Sequence, residues 1–183
     1  SGIFRDVYLF IEPKLHVRDL SITAEPEEDL RSASLKVRLL LNEKKGRIRW
    51  GLRFLGEEIL GGELCLPLDS AEESFGNESS YPLFFSGRIE EPHLWSAEKP
   101  NLYEFKLELF DEEGALSELI FEHVGVRRFE LKDGLMCLNG RRIVFFGVNR
   151  HEFSSDRGRA VREEDVRRDL LLMKRNNINA VRT

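Results

Sequence analysis

The chain has 183 residues, 41% of them hydrophobic and 33% charged, with a formal net charge of −5. That is length for one domain, or one domain and part of another, around a sizeable core. No Lys/Arg run reaches five residues and no apolar run approaches about 20, so neither a nucleic-acid partner nor a membrane-spanning helix is indicated. The opening residues, Ser1 to Asp6, carry no signal-peptide pattern. Cys65 and Cys137 stand in apolar, strand-like runs with no CxxC spacing and no His cluster. That spacing speaks against a zinc site and predicts buried free thiols, which suit a reducing, cytoplasmic location.

In chain order, the pattern from Val7 to about Val124 predicts strands. They are expected over Val7–Ile11, Leu15–Thr23, Leu35–Leu41, Ile48–Leu55, Glu63–Leu68, Leu83–Ile89, Tyr103–Phe110 and Leu116–His123. From Tyr103 to Leu109 every odd residue is apolar and every even one charged. Period two over seven residues marks a half-buried strand. Leu35, Val37 and Leu39 alternate in the same way with Ser34, Lys36 and Arg38. Lys45-Gly46, Gly61-Gly62, Gly76-Asn77 and Glu113-Gly114 are the expected turns. Strands, polar turns and no helical period predict an antiparallel, immunoglobulin-like β-sandwich over residues 13–127.

After Gly125 the pattern changes. Leu135–Leu138, Asn139-Gly140 and Arg141–Val148 predict a hairpin, with Asn-Gly at the turn and no further role. Ile143 to Val148 is almost continuously apolar, which predicts a strand buried on both faces in a parallel sheet. A helix is expected from about Arg162 to Asn176: Val166, Leu170 and Met173 form a stripe that Leu171 and Leu172 widen. Glu163, Glu164 and Asp165 in its first turn, and Lys174 and Arg175 in its last, complement the helix dipole. Ile178 to Arg182 returns to strand, so the tail predicts β-α-β.

Four stretches, SGIFRDVYL (Ser1–Leu9), LWSAEKPNLY (Leu94–Tyr103), LNGRRIVFFGVNRHE (Leu138–Glu152) and DLLLMKRNNINAVRT (Asp169–Thr183), resemble the β-galactosidase branch of glycoside hydrolase family 2, in that family's order. The resemblance implies a fold that is mainly β. Residues 1–12 would end an N-terminal sugar-binding jelly roll, 13–127 would be the sandwich, and 128–183 would begin a catalytic TIM (β/α)8 barrel, cut off after its first β-α-β portion. It implies a retaining exo-β-glycosidase acting on terminal β-D-galactose, with a homo-oligomeric parent that uses magnesium and sodium. A β-glucuronidase, another glycosidase of the family, or a non-catalytic interaction or carbohydrate-binding sandwich are the alternatives.

The residues themselves have plainer readings. Asp6 alone is a surface ion pair or turn residue; the resemblance makes it a contact to galactose and to a sodium ion, both suited to carboxylate oxygen. His151 alone caps a strand end; the resemblance places it at the C-terminal rim of a barrel strand, touching the sugar and stabilising the transition state. Arg182, otherwise an exposed charge, would join them in the sugar pocket. Asn149, Arg150 and Glu152 share the motif, and Arg150 and Glu152 are expected to support the site through ion pairs. Trp95 is read as packing at a strand entry, without chemistry. Retaining glycosidases need two carboxylates about 5 Å apart. By the resemblance these lie on later barrel strands and the magnesium ligands lie outside the chain, so the 183 residues alone are expected to be inactive and to hold no cofactor.

Overall fold

A computed structural model describes residues 3, 5–66, 73–75 and 78–183, with the backbone alone at 73–75 and 78. The expected Gly76-Asn77 turn, Pro67 and Leu68 of one expected strand, and Ser1, Gly2 and Phe4 lie outside the described residues. The chain divides into two compact units: Ile11–Arg141, and Arg142–Thr183 with Ser1–Phe10.

The first unit begins with β1 (Val17–Pro26), β2 (Ser32–Leu41), β3 (Arg47–Phe54) and β4 (Glu57–Cys65). It continues with β5 (Glu73–Phe75), β6 (Glu78–Glu90), β7 (Tyr103–Phe110) and β8 (Leu116–Val124). Two four-stranded sheets, ordered β1-β2-β6-β5 and β4-β3-β7-β8, are antiparallel throughout. Period-two alternation decides which side chains meet. In the second sheet Ile48 stands opposite Leu109, Trp50 opposite Leu107 and Leu52 opposite Phe105. In the first, Val37 stands opposite Phe85 and Leu39 opposite Leu83. Leu35, Leu39, Ile48, Leu52, Phe105, Leu107 and Leu109 are fully buried in one cluster. Each contributes about 1.5–3 kcal/mol by leaving water. Trp50 packs between Phe85 (ring centroids 4.7 Å) and Phe105 (6.2 Å). Buried Tyr103 keeps its hydroxyl satisfied, because the His93 backbone N–H donates to Tyr103 Oη at 2.8 Å. Burial pushes that phenol above its ordinary pKa, against the effect of the His93 N–H.

The sandwich is the architecture the alternation predicts, with four local differences. Val7–Ile11 is not a strand: all five residues are exposed and outside any ladder, because an apolar run forms a strand only where a partner supplies hydrogen bonds. Gly61-Gly62 is not a turn but lies inside β4, opposite Gly51 and Trp50. A Cβ on Gly62 would sit 2.9 Å from Trp50 Nε1, so the glycine makes room for the indole. The true turn is Leu55-Gly56, both at positive φ (49° and 88°), and β4 therefore spans Glu57–Cys65 rather than starting at Glu63. Cys137 is buried as expected, but Cys65, at the end of β4 in an edge position, is exposed.

Past the sandwich, β9 (Phe129–Lys132), β10 (Leu135–Leu138) and β11 (Arg141–Arg142) form a three-stranded sheet in the order β11-β10-β9. Asn139 (φ 50°) and Gly140 (φ 74°) make the two-residue turn between β10 and β11. Asn139 does more than turn the chain. Its Nδ2 donates to the Trp95 carbonyl at 3.0 Å, and its Oδ1 accepts from the Arg128 N–H at 2.9 Å. Trp95 packs over Gly125, where a Cβ would approach it to 3.1 Å, and the Arg127 guanidinium lies 4.7 Å from its ring. Packing is thus its observed role.

The second unit contains β12 (Gly147–Asn149), the helix α1 (Glu163–Arg175) and β13 (Ala180–Arg182). β12 and β13 are parallel and α1 lies between them in sequence, a β-α-β unit. The apolar run from Ile143 does not form one long hairpin arm. Only its last residues join the parallel ladder, because the partner strand starts at Ala180. Asn179 just before it serves the preceding backbone instead, accepting from the Phe146 N–H at 2.8 Å and donating to the Val144 carbonyl at 2.9 Å. Nor is the run buried on both faces: Val144, Phe145 and Phe146 are exposed, as are Leu170, Leu171 and Leu172 of α1. Two strands and one helix do not enclose them. Asp165 accepts from the Arg162 N–H at the start of α1 and is held by Arg157 at 2.8 Å. Its carboxyl lies below the ordinary aspartate range, chiefly through the Arg162 N–H and then through Arg157 and Arg168, against some burial. Among the described residues, no helix is long and apolar enough to cross a membrane.

Candidate functional site

Parallel pairing fixes the geometry of the second unit. Gly147 stands opposite Ala180, Val148 opposite Val181 and Asn149 opposite Arg182. The Arg150 N–H donates to the Arg182 carbonyl at 2.8 Å, which closes the ladder at its C-terminal end. Asn149 and Arg182 therefore end neighbouring strands side by side, with Arg150 and His151 directly beyond. His151 and Arg182 are both exposed at this rim.

The residues flanking His151 are anchored. Arg150 is almost buried, with 8% of its side chain exposed, and its Nε lies 3.0 Å from Asp169 Oδ2 on α1. Glu152 is ion-paired with Arg5. Arg5 also donates to the Val161 carbonyl at 2.8 Å, and Val161 is buried. The strand-end motif and the segment carrying Asp6 are thus tied together, and Asp6 itself is exposed next to Arg5. Both expected ion-pairing residues do pair. Arg5 and Asp169 are partners the sequence did not single out. They stand 147 and 19 residues from theirs, at spacings that carry no periodic signal.

His151, Glu152, Phe153 and Arg159 line an open hollow of about 490 Å³. Its lining joins the polar groups of His151, Glu152 and Arg159 to the exposed ring of Phe153. The carboxylates of Glu152 and Asp169 are each taken up by an arginine, not left as the acid and nucleophile pair a retaining glycosidase needs. A hollow of about 960 Å³ on the sandwich, at the β2–β3 turn, has its cations engaged locally: Arg47 with Glu63, Lys45 with Glu112, and Lys44 over the Tyr81 ring. Among the described residues, no group of three or more His, Cys, Asp or Glu side chains could hold a metal ion. Asp6 offers one carboxylate, so these residues do not by themselves fit a sodium or magnesium site.

The family model for glycosyl hydrolases family 2 matches residues 15–127. The chain belongs to glycosyl hydrolase family 2. The model of the family's TIM barrel domain matches residues 129–183, so β12, α1 and β13 are the start of that barrel. Among similar proteins, a beta-galactosidase of Lactobacillus delbrueckii subsp. bulgaricus is 43% identical over 182 residues, and one of Halalkalibacterium halodurans is 40% identical over 183. Each match covers 100% of this family 2 chain and 17% of the relative, so the chain spans about a sixth of their length. The structure of Bacteroides uniformis beta-glucuronidase 3 superposes with a TM-score of 0.82 over 99% of the chain and 21% of that protein, at 24% identity. At that identity the likeness is one of fold.

Proposed function

We propose that these residues belong to a retaining exo-β-glycosidase that releases terminal, non-reducing β-D-galactose from β-D-galactosides. In this reading residues 1–12 end a sugar-binding domain, 13–127 are the sandwich, and 128–183 open the catalytic barrel. One observation carries the proposal: β12 and β13 run parallel and deliver Asn149, Arg150, His151 and Arg182 to the C-terminal rim, where barrel enzymes build their sites. The relatives at 40% and 43% identity, both beta-galactosidases, support galactose as the sugar.

His151 donates to a sugar hydroxyl whose position changes as the ring flattens, so it binds the transition state better than the ground state. Arg182 and Asp6 line the same sugar, one as a donor and one as an acceptor. The glycosidic oxygen is protonated, a galactosyl ester forms on a carboxylate and water hydrolyses it. In this reading the acid/base and the nucleophile are glutamates outside these residues. The sodium contact at Asp6 and the magnesium site need further ligands from there as well. A cytoplasmic homo-oligomer completes the proposal; the free thiols of Cys65 and Cys137 support a reducing location.

The test compares the full-length protein with these 183 residues on nitrophenyl β-galactoside and nitrophenyl β-glucuronide. Full-length protein should cleave the galactoside with retention of configuration, and the 183 residues alone should cleave neither. His151→Ala in the full-length protein should lower kcat far more than it changes KM. Preference for the glucuronide, or an unchanged kcat in His151→Ala, overturns the proposal. Asp6→Asn should blunt any sodium activation; an intact sodium response removes Asp6 from the ion site.

A further inference from the structure

We propose that Arg5 and Asp169 are positioning residues that hold His151 from both sides, an inference that rests on the proposed sugar site. His151 is exposed, and the structure holds it in place through its neighbours. On one side Arg150 is fastened twice: its backbone N–H donates to the Arg182 carbonyl, and its nearly buried guanidinium pairs with Asp169. On the other side Glu152 is fastened to Arg5, which is in turn bound to the Val161 carbonyl.

The two clamps differ in what they join. Asp169 lies on α1, so it fixes the strand-end motif to the helix that follows it. Arg5 comes from the other end of the chain and carries Asp6 as its immediate neighbour. The Arg5–Glu152 pair therefore links the segments bearing Asp6 and His151, which are otherwise 145 residues apart in sequence. Two of the residues assigned to the sugar are set relative to one another by a contact that touches no sugar.

For the Arg5–Glu152 clamp, exposure separates this role from a stabilising one. The Arg5 and Glu152 side chains are 47% and 56% exposed, and ion pairs so open to water add little to stability. Misplacing a catalytic group by about 1 Å can cost about a hundredfold in rate. Removing the pair should therefore be seen in turnover and hardly in melting temperature.

The experiment uses the full-length protein with Arg5→Gln, Asp169→Asn, Arg5→Glu, Glu152→Arg and the reversed pair Arg5→Glu/Glu152→Arg. It measures kcat and KM on nitrophenyl β-galactoside, with Tm for each variant. Each single variant should lose about tenfold or more in kcat/KM, mainly in kcat, and the reversed pair should recover at least about fivefold over Arg5→Glu. Singles within about twofold of wild type overturn the clamp and leave the galactosidase reading standing. So does a loss that follows a fall in Tm and is not recovered by the reversed pair. If the protein prefers another β-glycoside, the substrate reading fails, and the same thresholds on that glycoside decide the clamp. Cleavage of no glycoside at all overturns both.

Discussion

Asn139 is the residue whose structural role most exceeds its sequence signal, so its removal is the sharpest test of the fold. Its two side-chain hydrogen bonds, 3.0 Å to the Trp95 carbonyl and 2.9 Å from the Arg128 N–H, are each worth about 1 kcal/mol net. Asn139→Gly keeps the positive φ of 50° accessible and deletes both bonds, so it should cost about 2 kcal/mol. Asn139→Ala deletes the same bonds and puts at φ 50° a residue without asparagine's tolerance of the left-handed region, which adds about 1 kcal/mol. Urea unfolding followed by tryptophan fluorescence suits the measurement, because Trp50 and Trp95 both lie in the sandwich unit. With a slope of about 2 kcal/mol per molar urea, the midpoints should fall by about 1 M for glycine and about 1.5 M for alanine. A glycine variant within about 0.5 kcal/mol of wild type would show that the side chain ties nothing. An alanine variant more stable than the glycine one would refute the turn conformation.

Gly46 and Gly56 both have positive φ, but a Cβ at Gly46 would lie 2.1 Å from the Phe110 carbonyl oxygen, while nothing lies within 4 Å at Gly56. Gly46→Ala should therefore cost about 3 kcal/mol or more and Gly56→Ala about 1 kcal/mol, read as the difference in urea midpoint; equal costs would refute the close approach. Leu107→Ala, at a fully buried site, should cost about 2–5 kcal/mol in the same assay, and a cost under 1 kcal/mol would mean the core refills the space. Asp165 is held below its ordinary pKa, so its contribution is present above the unfolded value and lost as pH falls through the folded one. The stability gap between wild type and Asp165→Asn, followed by circular dichroism at 222 nm, should accordingly shrink below about pH 4. A gap that does not change with pH refutes the assignment.

By itself the sequence determined the sandwich and the helix. Alternation such as Tyr103 to Leu109, and the stripe of α1 with its acidic start and basic end, are local patterns that burial then rewards. It also placed His151 and Arg182 at strand ends, because those positions follow from where an apolar run stops. Tertiary structure alone decided what depends on partners. Val7–Ile11 is as apolar as a real strand, yet no ladder forms on it. Gly61-Gly62 has turn composition and sits mid-strand because Trp50 needs the space. Cys65 is exposed because it shares the outward face of β4 with Glu63, opposite Arg47. The Arg5–Glu152 and Arg150–Asp169 pairs could not be read from spacing. A charge finds its partner through the path of the folded backbone, and that path brings residues 147 positions apart into contact.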